Sequence, residues 1–398
     1  MISYREALEL LLANAPVLAA ERCRVEAAAG RVLRSEVRAD RAFPPFDRVM
    51  MDGFALKSAA WQAGHRVFRV AGTAPAGSET ASLPDAPDTC LEVATGAPCP
   101  AGADCIIPLE EMIYRDSSGV AFSDAANPLP GSFIHRAGSD AAEGQILLER
   151  GTLLGSRQIG VAASCGAAWL EVTRLPAIAV VATGDELVAV DQSPLPYQLR
   201  QSNGHSLAAA LGRAGYAPQH SGAIGDDEAA ARLVIKELLA GHDWLILTGA
   251  VSKGGRDFVP SVLENLGCRR LFHGVAQRPG KPAGCWIGPA GQMVMALPGN
   301  PVSALTGLHV FVLPALAAAS GRHAPVPRQV AMGDRLAALP GVTWHLPVRL
   351  RPDGRAEPAA SGNSGDFIGL LRSDGWITLP PADGKPASRA LFPFSPWH

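Results

Sequence analysis

Apolar positions recur along this chain in two rhythms, and the change between them divides it. Residues 4–13 place Ala7, Leu8, Leu11 and Leu12 at helical spacing, which predicts an amphipathic helix. From 43 to 136 the pattern shortens to β-like runs at 66–70, 89–93 and 105–108, separated by Ala-, Gly- and Pro-rich turns. That texture predicts a small β domain. Residues 140–173 are mixed and are expected to pack back on the N-terminal helix as one discontinuous domain.

Residues 177–321 differ in kind. Continuous apolar runs at 177–181, 244–247 and 293–297, with a further strand-like segment at 219–224, alternate with helical periodicity at 206–214, 226–240, 259–266 and 302–319. Strands alternating with helices of these lengths predict a parallel, doubly wound α/β sheet. After residue 325 short strands return at 342–350 and 376–379, predicting a C-terminal β domain. The expected division is 1–46 with 140–173, then 47–139, 174–325 and 326–398.

With 398 residues the chain exceeds what one core usually holds, which agrees with several domains. Its net charge of −2 and lack of a basic block argue against a nucleic-acid binder, so any anionic ligand must be met by local groups. Seven scattered cysteines with no C-x-x-C pair suit a reducing cytosol and argue against a disulfide framework or structural zinc. A catalytic thiol stays open. Arg5, Glu6 and Glu9 are foreign to a signal-peptide core, and Pro314 interrupts the apolar stretch 309–319. No membrane span is therefore expected, and a cytoplasmic protein is.

Candidate chemistry gathers where the predicted parallel strands end, the edge at which open α/β sheets bind ligands. Leu297-Pro298-Gly299-Asn300-Pro301-Val302-Ser303-Ala304 follows the last apolar run. It places Asn300 at an N-cap and Pro301 at the first helical position, so orphan N–H groups and the helix dipole favour an anion. Ala182-Thr183-Gly184-Asp185-Glu186-Leu187 is a glycine turn with two carboxylates. The central loop, residues 248–257, offers Gly249, Ser252, Lys253, Gly254 and Asp257. Its small residues let backbone N–H groups approach an anion closely. Arg278-Pro279-Gly280-Lys281-Pro282 holds two cations across a proline-flanked turn.

Together these groups suit a phosphorylated ligand bridged by Mg²⁺, with Asp226 and Asp257 as carboxylate ligands. Asp226 and Asp227 equally suit helix capping. Two further segments, residues 44–55 around Asp52 and 94–100 around Thr95, read either as structural turns or as site loops.

In order, PPFD with MDGFAL (44–56), TGAP (95–98), GSD (138–140), TGDEL (183–187), GAVSKGGRDF (249–258), RPGKP (278–282) and LPGNPVSA (297–304) resemble the MoeA family of molybdopterin molybdenumtransferases. That family is homologous to the E domains of plant Cnx1 and gephyrin, and the resemblance covers nearly the whole chain. It implies an elongated four-domain homodimer whose third domain is a MogA-like α/β unit. It also implies a Mg²⁺-assisted reaction in which adenylylated molybdopterin and molybdate give molybdenum cofactor and AMP. A MogA-like adenylyltransferase is the implied upstream partner. The family pattern places functional roles on Asp52, Thr95, Asp140, Glu186, Asp226, Asp257, Lys281, Pro298 and Pro301. In such a dimer Asp52 would complete the partner's cleft.

The chain departs from the pattern in places. Arg48-Val49-Met50 stands where Asn-Ser-Ala is common, Ala250 replaces a glycine, and Trp344 stands where a basic residue is expected. The loop 361–367 matches loosely, so Arg349 and Ser364 are weak candidates for oxyanion contacts. Two rival readings remain: a catalytically silent scaffold of the same fold, and the adenylyltransferase itself. The second leaves the flanking β domains unexplained.

Overall fold

The computed structural model describes residues 1–250, 258–323, 327–333, 336–337, 339–359, 363, 365–381, 386–387 and 391–397. Contacts divide the chain into two units. One joins Met1–Ser35, Arg150–Ser156 and Trp169–His398; the other joins Glu36–Glu149 and Arg157–Ala168.

The larger unit contains the expected doubly wound sheet. Its strands are β1 (Ile178–Thr183), β2 (His220–Ile224), β3 (Trp244–Thr248), β4 (Arg269–His273), β5 (Gly284–Ile287) and β6 (Met293–Leu297), in spatial order β2-β1-β3-β6-β5-β4. The first four in that order are parallel, while β5 and β4 add antiparallel edge strands. Both faces are covered, which explains why β1, β3 and β6 read as unbroken apolar runs. Ile178, Val180, Trp244, Ile246, Met293 and Met295 face a core shared with the helices Asn203–Arg213 and Pro301–Ala319. The alternate residues Ala179, Val181, Leu245, Leu247, Val294 and Ala296 face the helices Glu228–Gly241 and Val259–Asn265.

Two sequence expectations need correction here. Pro314 does not interrupt the apolar stretch: the helix expected at 302–319 forms as Pro301–Ala319 and runs on through a π turn, Leu308–Val312, just before the proline. A π turn shifts the backbone bonding pattern, and proline, having no N–H, tolerates that shift. The resulting helix is long and apolar enough to cross a membrane by composition, but its most apolar window is 78% buried within the molecule, as a core helix is. The N-terminal helix spans Tyr4–Ala13 as expected, and Ala7 and Leu11 enter the same core, whereas Leu12 points outward at 39% exposure.

A second sheet of this unit was not expected in its composition. The short strand Val275–Arg278 pairs in parallel with Ile2–Ser3 on one side and with Thr343–Leu350 on the other. Gly375–Leu379, Leu391–Pro396 and Arg328–Ala331 continue the sheet. The chain between β4 and β5 is thereby built into the C-terminal β sheet. Strand Ala20–Arg24 pairs antiparallel with Trp169–Thr173.

The smaller unit is the β-rich one. Its six-stranded sheet runs Cys105–Pro108, Gly53–Leu56, Thr89–Val93, Val67–Ala74, Gly119–Phe122, Met112–Asp116 over a core of Phe54, Trp61, Phe68 and Phe122. Gly53 is dictated by close approach, since a Cβ there would lie 2.1 Å from the carbonyl oxygen of Ile107.

Candidate active site

In the larger unit the carboxyl ends of the parallel strands open into a cleft of about 1350 Å³. The chain leaves β1 toward β2 and β3 toward the opposite side, so β1 and β3 flank the switch point at which such sheets bind ligands. Their ends are drawn together. Thr183 Oγ1 donates to the carbonyl of Thr248 (3.2 Å), and Gly249 follows at φ +95° with its N–H on Leu297 O (3.0 Å). A Cβ on Gly249 would lie 2.5 Å from Thr183 O and Oγ1, so only glycine fits. Ala250, where the resemblance led to an expectation of glycine, is held at φ +47°. That left-handed backbone is costly for a residue with a side chain.

The loop after β1 is a locked turn rather than two loose carboxylates. Asp185 Oδ1 accepts the backbone N–H of Asp226 (2.9 Å), fastening this loop to the one after β2. Glu186 instead lines the cleft, folded over Gly184, where a Cβ would lie 2.6 Å from Glu186 Oε2. Asp227 caps the next helix, accepting from the N–H groups of Ala229 (2.8 Å) and Ala230 (3.1 Å), which leaves Asp226 on the cleft wall.

After β6 the geometry follows the expected cap. Asn300 is the N-cap and Pro301 the first helical residue; the Asn300 carbonyl accepts from Ala304 N–H (2.9 Å), although its side chain makes no capping bond. Pro298, Asn300, Pro301 and the buried Ser303 all line the cleft.

Arg278 and Lys281 enter from the strand Val275–Arg278 and its following turn. The Arg278 guanidinium lies over the Trp344 ring, 5.6 Å from its centroid, and the two residues are register partners. Trp344, where a basic residue was expected, thus packs on the neighbouring cation instead of supplying one. The rest of the C-terminal wall is neutral among the described residues, with Val342, Leu346, Pro347 and Asn363 on it. Charge therefore enters from the α/β side: Arg200, Arg278 and Lys281 against Glu186 and Asp226.

Several lining residues were missed from sequence. Asn203 joins three loops, donating to Gly299 O (2.8 Å) and approaching Thr248 Oγ1 (3.4 Å); the polar run Gln201-Ser202-Asn203 before an Ala-rich helix was its one signal. Gln201, Gln277 and His345 are buried on the cleft wall, with Oε1, Oε1 and Nε2 respectively lacking a partner among the described residues. Arg349 does not line the cleft, its guanidinium being bonded to Glu357. Ser252, Gly254, Asp257 and Ser364 lie outside the described residues. None of the cysteines lines the cleft, and burial pushes the Cys99 and Cys268 thiols up to about 11, away from thiolate chemistry.

The remaining candidates, Asp52, Thr95 and Asp140, belong to the smaller unit, where three motifs meet. Val49 exchanges backbone bonds with the TGAP turn, through Ala97 O and Gly96 N–H (each 2.9 Å). Asp52 Oδ1 accepts from Thr95 N–H (2.6 Å) and Oγ1 (2.8 Å), bonds that hold its carboxyl below the usual range. Strand Ile134–His135 pairs with Arg48–Val49 and leads to Asp140.

For a divalent cation, Asp226 and Glu186 would offer hard oxygen ligands, both lining the cleft beside groups suited to phosphate. Among the described residues no cluster of three His, Cys, Asp or Glu side chains exists. That donor set fits Mg²⁺, which keeps water and phosphate as most of its ligands.

Comparison with known proteins agrees with this architecture. Residues 2–166 match the MoeA N-terminal region (domain I and II), and residues 179–318 match a probable molybdopterin binding domain. A molybdopterin molybdenumtransferase of Synechocystis sp. is 36% identical over 402 residues, covering 100% of both chains. That of Synechococcus elongatus is 34% identical, covering 96% of each. The crystal structure of the molybdopterin biosynthesis MoeA protein from Pyrococcus horikosii superposes with a TM-score of 0.77 at 25% identity, covering 100% of this chain and 99% of that one. The chain belongs to the MoeA family, the molybdopterin molybdenumtransferases of molybdenum cofactor biosynthesis.

Proposed function

We propose that this protein inserts molybdate into the dithiolene of adenylylated molybdopterin, giving molybdenum cofactor and AMP. The observation that carries this reading is the cleft itself. Its 1350 Å³ exceeds what a drug-sized ligand needs and suits a pterin joined to a nucleotide. One wall combines a helix N-terminus, a glycine approach at Gly249 and two cations, Arg278 and Lys281, that pair with no carboxylate among the described residues.

In this reading the first N–H groups of the helix after Asn300 hold phosphoryl oxygens, as helix ends do, and the absence of a side chain at Gly249 lets them approach. Arg278 and Lys281 meet negative charge on the substrates, and Trp344 keeps the guanidinium in place. Asp226, Glu186 and Asp257 would hold Mg²⁺, which would supply polarisation of the phosphoanhydride. Asp52, Thr95 and Asp140 are proposed as contributors from the β unit. We also propose a cytoplasmic homodimer supplied with substrate by an adenylyltransferase.

Binding is the first test. Adenylylated molybdopterin should bind with Mg²⁺ present, and Arg278→Ala or Lys281→Ala should weaken it roughly tenfold, the worth of a charge-assisted contact. Consumption of ATP with free molybdopterin would instead identify the adenylyltransferase.

A further inference from the structure

We propose that Arg48 and His135 are positioning residues that fix the Asp140 carboxylate for the reaction proposed above; the inference rests on that reading. Arg48 Nη2 lies 3.1 Å from His135 Nδ1, and His135 Nε2 lies 2.8 Å from Asp140 Oδ1. A guanidinium has donors only, so Nδ1 accepts and the ring proton sits on Nε2, where it donates to Asp140. Arg48 thereby chooses the tautomer, and the imidazole chooses the orientation of the carboxylate. Ser139 Oγ adds a 3.3 Å bond to the same oxygen.

Exposed pairs usually contribute little because ordering two long side chains costs entropy. Here the backbone supplies much of that order. His135 and Arg48 are direct partners across an antiparallel rung. Gly138 N–H bonds to Pro44 O and Asp140 N–H to Phe43 O, each at 2.9 Å. Asp47 clamps the same loop, accepting from Ala137 N–H (2.8 Å) and Arg136 Nη1 (2.6 Å). The chain's departure from Asn-Ser-Ala at 48–50 thus acquires a role: its arginine reaches Asp140 through a histidine.

The test is a double-mutant cycle on molybdate-dependent AMP release, with the His135 tautomer read by nitrogen NMR of the full-length protein. Arg48→Ala should lower kcat/KM roughly tenfold. In an Asp140→Asn background the same change should cost less than about twofold, because coupled residues are not additive. His135→Leu should match the loss, and His135→Gln should recover most of it, since its amide offers one acceptor and one donor. Equal losses in both backgrounds, or no recovery by glutamine, would overturn the proposal. Should the wild type release no AMP, the reaction assignment fails, and the NMR decides separately: an Nε2–H ring supports the relay and an Nδ1–H ring refutes it.

Discussion

Asn203 Nδ2 donates to the carbonyl of Gly299 over 2.8 Å and lies 3.4 Å from Thr248 Oγ1, so one amide ties a helix start to two strand-end loops. The anion-facing turn before Pro301 is held from outside itself. Asn203→Ala should leave the fold intact and raise KM for the pterin nucleotide by roughly tenfold, the worth of one good hydrogen bond. Steady-state kinetics with thermal melts as a folding control would check this. An unchanged KM would mean that the turn needs no such tie.

Gly249 makes a sharper prediction. A methyl group there would meet Thr183 O at 2.5 Å on a backbone at φ +95°. Gly249→Ala should cost about 2 kcal/mol or more of stability and weaken nucleotide binding, since β1 and β3 must part. Urea unfolding measures the first effect and calorimetry the second. A variant as stable as the wild type would show that the two strand ends are not tightly joined.

His345 should make the protein acid-sensitive. Burial pushes its imidazole down to about 3, against 6.5 for an ordinary histidine. The unfolded chain therefore binds a proton that the folded protein refuses between those values. The associated stability is fully present above about pH 6.5 and falls as pH drops through that window, by up to about 1.4 kcal/mol per unit. His345→Phe should remove this slope. Denaturant midpoints collected from neutral pH downward, wild type against variant, should diverge; parallel curves would contradict the account.

Much of this was legible in the sequence, for physical reasons that also mark where legibility stopped. The strands β1, β3 and β6 announced themselves because both faces of the sheet are covered, leaving no polar alternation to blur them. The cap at Asn300 and Pro301 was legible because capping is local chemistry. The strand Val275–Arg278 was not, being four residues long and stabilised by partners from both ends of the chain. For the same reason the stack of Trp344 on Arg278 and the reach of Asn203 to Gly299 were hidden: each depends on a contact between distant segments. Pro314 misled because its penalty is absorbed by a π turn that no local pattern announces.

The central claim is most directly tested by single-turnover AMP release from adenylylated molybdopterin with Mg²⁺, with and without molybdate, for the wild type and Glu186→Ala. Glu186 lines the cleft over Gly184, where its carboxylate can serve the reaction without holding the fold. The account predicts release that requires molybdate and falls by at least about 100-fold in the variant, as loss of a group acting in the transition state does. Tight binding of the pterin nucleotide with no AMP released by the wild type would contradict it and leave a carrier or scaffold.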